Sequence, residues 1–126
     1  LAFNRHLRHN LLSWQPLRDG QLTLASLYNP YVGELAVDVP NCAVVIDAAS
    51  VFGSQAFVLS RKAARYIADH WAEIEGMQDI KMSRLAGRLK RPIFYHAPSL
   101  VQHVGRRSLW GGRFHRSFDF DPDWKA

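Results

Sequence analysis

One cysteine, Cys42, is all the chain has, which excludes an internal disulfide and any multi-cysteine metal site. A lone thiol leans toward a reducing compartment such as the cytosol. No apolar run approaches the ~20 residues that an α-helix needs to cross a bilayer, so no transmembrane segment is read anywhere. The opening stretch LAFNRHLRHNLLSW begins at Leu1 rather than Met and carries two Arg and two His, which excludes a signal peptide there and suggests a trimmed or partial chain. Internal repeats and low-complexity tracts are lacking too. Ser60, Ser99 and Ser108 have no G-x-S-x-G elbow around them, and the six histidines show no H-E-x-x-H spacing, which ranks a hydrolase low. Acid is the scarcer charge: 11 Asp and Glu against 16 Lys and Arg leave +5, a balance that suits an anionic partner such as a nucleotide diphosphate, a nucleic acid or a lipid headgroup.

What is present reads as a folding sequence. Its 126 residues are 48% hydrophobic and 21% charged, close to a globular average, and long enough to bury roughly two-thirds of the unfolded surface in one domain. That domain spans residues 1–126, with 103–126 as a tail of little periodicity. Leu7, Leu11 and Trp14 at helical spacing predict a short amphipathic helix over Leu1–Trp14, ended by Gln15-Pro16. Gln21–Tyr28 reads as a strand, 29–41 as a loop rich in Pro, Gly and Asn, and Cys42–Ile46 as a strand of buried type. Ala56–Leu59 reads as another core strand. Ser60 is placed to cap a helix over Arg61–Ile74 with an apolar stripe of Ala64, Ile67, Ala68, Trp71 and Ile74. A second helix is expected over Ile80–Leu89, with Met82, Leu85, Ala86 and Leu89 inward and Asp79 at its start. Pro92 breaks it, Ile93–His96 is a short strand, and Pro98–His103 is extended. Helices interleaved with strands make a mixed α/β class with a mixed sheet and flanking helices the expected fold. The βαβ unit that usually opens a doubly wound domain is missing, as if the chain enters a larger fold midway.

Three segments carry a resemblance. Gly53-Ser54-Gln55-Ala56-Phe57-Val58-Leu59-Ser60-Arg61 resembles the glycine-led strand-to-helix segment of several GT-A nucleotide-sugar glycosyltransferase families. Gly76-Met77-Gln78-Asp79 stands about nineteen residues after Ser60, where such enzymes carry an acidic x-E-D element at a helix start; Gln78 replaces its Glu here. Pro98-Ser99-Leu100-Val101-Gln102-His103-Val104-Gly105, followed by Ser108, is similar to a segment of N-acetylglucosaminyltransferase-like enzymes. The resemblance covers residues 53–108 and implies the C-terminal, acceptor-side part of a GT-A catalytic domain. It implies inverting transfer from a nucleotide-diphosphate sugar, such as a UDP-sugar, to a carbohydrate or other hydroxyl acceptor. Asp79 would be the base and His103 a ligand to Mn²⁺, or Mg²⁺ in its place. The demand is chemical: an attacking alcohol must lose its proton, and the leaving diphosphate needs its charge neutralised. Gly53 with Gln55 would line the acceptor floor, Tyr28 would lie in the loop that faces the acceptor, Arg106 and Arg107 would fold over the diphosphate, and Ser54 and Ser108 would be further substrate-binding residues. The D-x-D pair of that family has no counterpart ahead of these motifs. Asp119-Phe120-Asp121 has the letters but follows every motif it should precede, and reads as a turn before Pro122.

Plainer readings stand beside these. Asp79 alone is explained as a helix N-cap, and His103 as a histidine at a strand end. The arginines and aromatics after His103 read equally as a solvated tail pinned to the core. A basic nucleic-acid binding module without catalytic activity is the alternative class, although the basic residues scatter and no recognition motif appears.

Overall fold

The computed structural model describes residues 1–30, 39–51, 53, 55–105 and 115–126. Its center is a four-stranded sheet ordered β3-β5-β2-β4, built from β2 (Leu24–Ser26), β3 (Ala43–Ile46), β4 (Phe57–Leu59) and β5 (Ile93–His96). β2 and β5 are parallel, pairing Leu24 with Ile93 and Ser26 with Tyr95, while the two outer strands pair antiparallel. The chain is thus mixed α/β with a mixed sheet, as its element order predicts.

Because successive strand residues point to opposite faces, the sheet has two distinct cores. Leu24, Ile93, Ile46, Phe57 and Leu59 pack with Val51, Ile67, Met82, Leu85 and Ala86. The last four come from α3 (Arg61–Asp69) and α4 (Gln78–Arg88), which cover that face. Ala25, Phe94 and Val58 turn the other way, toward Trp14, Leu17 and Leu22. There the cover is Trp14 and the single turn α2 (Gln15–Arg18), while Leu7 and Leu11 of α1 (Leu7–Ser13) pack beside it against Leu27, Tyr28, Leu100 and Val101. A small second sheet pairs β1 (Ala2–Phe3) with β6 (Val101–Gln102), tying the start of the chain to the extended segment after β5.

Several expectations need correction. The helix read over Leu1–Trp14 shrinks to Leu7–Ser13, because long-range partners claim the first backbone groups: Asn4 N–H bonds Leu100 O at 2.9 Å and Arg5 N–H bonds Pro122 O at 2.8 Å. Pro16 does not simply end a helix. It sits in the first turn of α2, where its missing N–H costs nothing. The strand read over Gln21–Tyr28 is only Leu24–Ser26, and all three residues are buried because neighbors cover both faces. The strands read as buried or core, Cys42–Ile46 and Ala56–Leu59, are instead the two edges of the sheet. β3 leaves Val45 62% exposed, and β4 is half-buried throughout.

Ser60 caps α3 as expected, its Oγ accepting the Ala63 N–H at 3.2 Å. The helix stops at Asp69 rather than Ile74, because His70 leaves helical geometry and bonds the Tyr66 carbonyl through its ring Nδ1 at 2.9 Å. Its buried residues are Ala63 and Ile67, while Ala64, Ala68 and Trp71 of the expected stripe are exposed. The stripe is therefore rotated by one residue. α4 starts two residues earlier than expected and buries Met82, Leu85 and Ala86.

Candidate functional site

Parallel strands β2 and β5 deliver the residues that follow them to the same sheet edge. β4 runs the other way, so Gly53, Gln55 and Ala56, which precede it, arrive there as well. Leu27 joins the three: its N–H bonds Ala56 O at 2.9 Å and its carbonyl accepts the Leu100 N–H at 2.8 Å. The carboxyl edge of parallel strands is where open α/β sheets hold ligands. Most of the candidate residues gather at this edge.

Asp79 lies in the first turn of α4, half-buried. Its Oδ2 accepts the Gly53 N–H at 2.9 Å and its Oδ1 accepts the Ile80 N–H at 2.9 Å. It is not the N-cap. Met77 holds that position, and no side chain caps the helix. The carboxylate reaches across to another segment instead, and each oxygen keeps lone-pair capacity beyond its amide bond. Gly53 has φ +76, the left-handed region that glycine enters without strain. Gln55 folds back over it, with Oε1 buried and lacking a hydrogen-bond partner among the described residues. Asp79, Gly53 and Gln55 are thus brought together.

A second group surrounds Tyr28, which is fully buried. Its hydroxyl pairs with His115 Nδ1 at 2.5 Å and lies 3.1 Å from the His115 carbonyl. The His115 ring stacks on His103, centroids 5.3 Å apart and planes 29° from parallel. His103 Nδ1 is buried without a hydrogen-bond partner among the described residues. Burial, and then the neighboring His103, push the His115 pKa below its ordinary value. At Gly105 a Cβ would stand 2.9 Å from His103 Cε1, so glycine is what lets the backbone close over that imidazole.

The segment carrying His115 is held by Gln102, whose Nε2 donates to Ser117 O at 2.8 Å and whose Oε1 accepts the Ser117 N–H at 3.0 Å. Ser117 Oγ lies 2.6 Å from Ser99 Oγ and 2.9 Å from Asn29 O, and also meets the Asp119 carboxylate. Asp119 is therefore part of a buried network. Asp121 keeps the expected turn role, its carboxylate accepting the Asp123 N–H at 2.8 Å.

No hydrogen bond among the described residues joins the Asp79 group to the Tyr28 group; they share the edge through Leu27. Ser54, Arg106, Arg107 and Ser108 lie outside the described residues. Ser99 and Gln102 lie within the segment quoted for His103, and a buried-polar role is not visible in letters. His115 had no spacing cue at all, being one histidine in a basic tail. For the metal expected at His103, the described residues offer the stacked pair His103 and His115, and no group of three or more His, Cys, Asp or Glu among them is placed to hold an ion. They do not fit a complete metal site by themselves. No helix among the described residues is long and apolar enough to cross a membrane. Comparisons with protein-family models, with curated proteins and with solved structures find no match for this chain.

Proposed function

We propose that this chain is the acceptor side of a GT-A-type nucleotide-sugar glycosyltransferase and that Asp79 is the base for an inverting transfer to a hydroxyl. One observation carries the reading: the Asp79 carboxylate bonds the Gly53 amide at 2.9 Å, joining two of the three segments on which the resemblance rests. The third segment supports it by delivering His103 to the same edge, beside Tyr28 and His115.

In this reading the acceptor hydroxyl approaches the free lone pairs of Asp79, with Gly53 and Gln55 beneath it. The amides of Gly53 and Ile80 fix the carboxylate in place, so no rotamer freedom is lost when the alcohol binds. The proton passes to Asp79 as the new bond forms at the anomeric carbon, and the nucleotide diphosphate departs from the opposite face, which inverts that carbon. A UDP-sugar is the donor class and a carbohydrate hydroxyl the acceptor class. Mn²⁺ or Mg²⁺, where bound, would neutralise the leaving diphosphate, and His103 would be one of its ligands.

The test is transfer from UDP-sugars to a panel of glycoside acceptors. Asp79→Asn should lower turnover by a factor of about 10² to 10⁴, the usual worth of a positioned base, and leave calorimetric UDP affinity unchanged. Near-normal turnover in that variant would remove Asp79 from the role. Absence of UDP binding, together with oligonucleotide binding that falls steeply with salt, would favor the nucleic-acid module instead.

A further inference from the structure

On the α1/α2 side of the sheet lies a cavity of about 250 Å³ that shares no lining residue with the Asp79 or Tyr28 groups. Its inner wall is aromatic. The His96 ring stands between Trp14, at 5.0 Å and 51°, and Trp124, at 5.6 Å and 77°. His96 is 1% exposed and Trp14 3%, so these rings form a fixed corner. Its mouth is polar, with Arg18, Asp19 and Asn41 all exposed.

Two details indicate a ligand. The first is His96 itself, whose Nδ1 bonds the Pro98 carbonyl at 2.7 Å. A carbonyl only accepts, so the proton sits on Nδ1 and Nε2 carries a lone pair. Nε2 has no hydrogen-bond partner among the described residues, on a side chain that lines the cavity. Burial also pushes the His96 pKa down to about 4, keeping the ring neutral. The second is the backbone at the mouth, where Asn41 (φ 58) and Cys42 (φ 55) are both left-handed without being glycine. Left-handed backbone is strained for a side chain such as that of Cys42, and Trp14 helps hold the turn by donating Nε1–H to Cys42 O at 3.0 Å. With that N–H committed, Trp14 offers the cavity ring surface.

We propose that this cavity binds a single neutral sugar ring. The C–H face of the ring lies against Trp14 and Trp124, one hydroxyl donates to His96 Nε2, and outer hydroxyls meet Asp19 as acceptor and Arg18 as donor. A saturated polyol matches both the apolar corner and the polar mouth. An apolar ligand would displace water from the His96 lone pair without replacing its hydrogen bond, and would make no use of the exposed Asp19 and Arg18 at the mouth. The inference does not depend on the transfer reading.

The test uses the whole chain with methyl β-glucoside and methyl β-galactoside, and with uridine and cyclohexanol as comparison ligands. Cys42 lines the cavity and is half-buried, so its alkylation rate by iodoacetamide reports occupancy alongside tryptophan fluorescence. One or both glycosides should slow alkylation and shift the emission in a saturable way, and the comparison ligands should not. His96→Phe keeps the aromatic wall but removes the acceptor, and should weaken glycoside affinity about tenfold, as expected for one buried hydrogen bond. Trp124→Leu should weaken it similarly; it keeps an apolar side chain against Leu27, Tyr28, Leu100 and Val101 and the backbone bonds from Asn4 and Asn10, so this variant serves if His96→Phe does not fold. No glycoside effect on the wild-type chain, equal protection by uridine or cyclohexanol, or unchanged affinity in the folded variants would each overturn the proposal.

Discussion

The two faces of the central sheet are built on different physics. Under α3 and α4 the contacts are apolar: Leu85, Ala86 and Leu24 are all 0% exposed within one hydrophobic cluster. The opposite side adds a polar clamp to its aromatic core. Asn10, 0% exposed, donates to Asn4 Oδ1 at 2.9 Å and to Trp124 O at 3.1 Å, and accepts the Ala126 N–H at 3.1 Å. Asn4 adds bonds to Asp121 O at 2.8 Å and Trp124 O at 2.9 Å. Hydrophobic burial is non-directional and scales with area. The clamp is directional, and it forms only when the two ends of the chain meet.

The largest expected effect tests the apolar face. Leu85→Ala removes a fully buried side chain from the center of that cluster, and the lost transfer energy plus the cavity left behind should cost about 3–4 kcal/mol. A urea titration reads this as a lower midpoint at unchanged slope. A loss below about 1 kcal/mol would mean that this face collapses around the gap and is less closely packed than its burial indicates.

That contrast also explains what could be read from the letters. α4 was legible because Met82, Leu85 and Ala86 repeat at helical spacing and the same period decides their burial. The Ser60 cap was legible because a hydroxyl before a helix has a local use. Strand position was not. Whether β3 and β4 lie at the edge or the center depends on which strands pair, and an apolar run such as Ala56–Leu59 looks the same in either place. In the candidate site, the Asp79 position was visible from motif spacing, whereas its bond to Gly53 across 26 residues was not. His115 and Ser117 were invisible for the reason Asn4 and Asn10 were: a buried polar residue is identified by its partner, and these partners lie far along the chain.

Acid should separate the two faces next. His96 belongs to the clamped side, and burial lowers its pKa from 6.5 to about 4. Above about 6.5 both folded and unfolded forms hold a neutral imidazole and the stability is complete. As pH falls from there to about 4, the unfolded chain takes up a proton that the fold resists, and up to about 3 kcal/mol is lost. His115, with its pKa also lowered, adds to the loss in the same direction. Urea midpoints measured across this range should fall more steeply for wild-type protein than for His96→Phe. Parallel curves would show that His96 is not the group resisting protonation.

The smallest effect is the most local. Asn10→Ala should cost about 2 kcal/mol, because the bonds that this buried amide makes to Asn4, Trp124 and Ala126 are lost together. The loss is moderated by what remains: the Trp124 carbonyl still receives the Asn4 amide, and Asn4 Oδ1 still accepts the His6 N–H at 2.8 Å. Only the Ala126 N–H loses its one side-chain acceptor. Hydrogen exchange should therefore quicken at Ala126 in Asn10→Ala beyond what its global stability accounts for, while amides of α4 slow or quicken only with that global stability. Leu85→Ala should give the reverse pattern, loosening α4 first and leaving the Ala126 amide protected up to the global limit. If both variants speed exchange uniformly, the two faces unfold as one cooperative unit, and the difference in their construction has no counterpart in how the molecule opens.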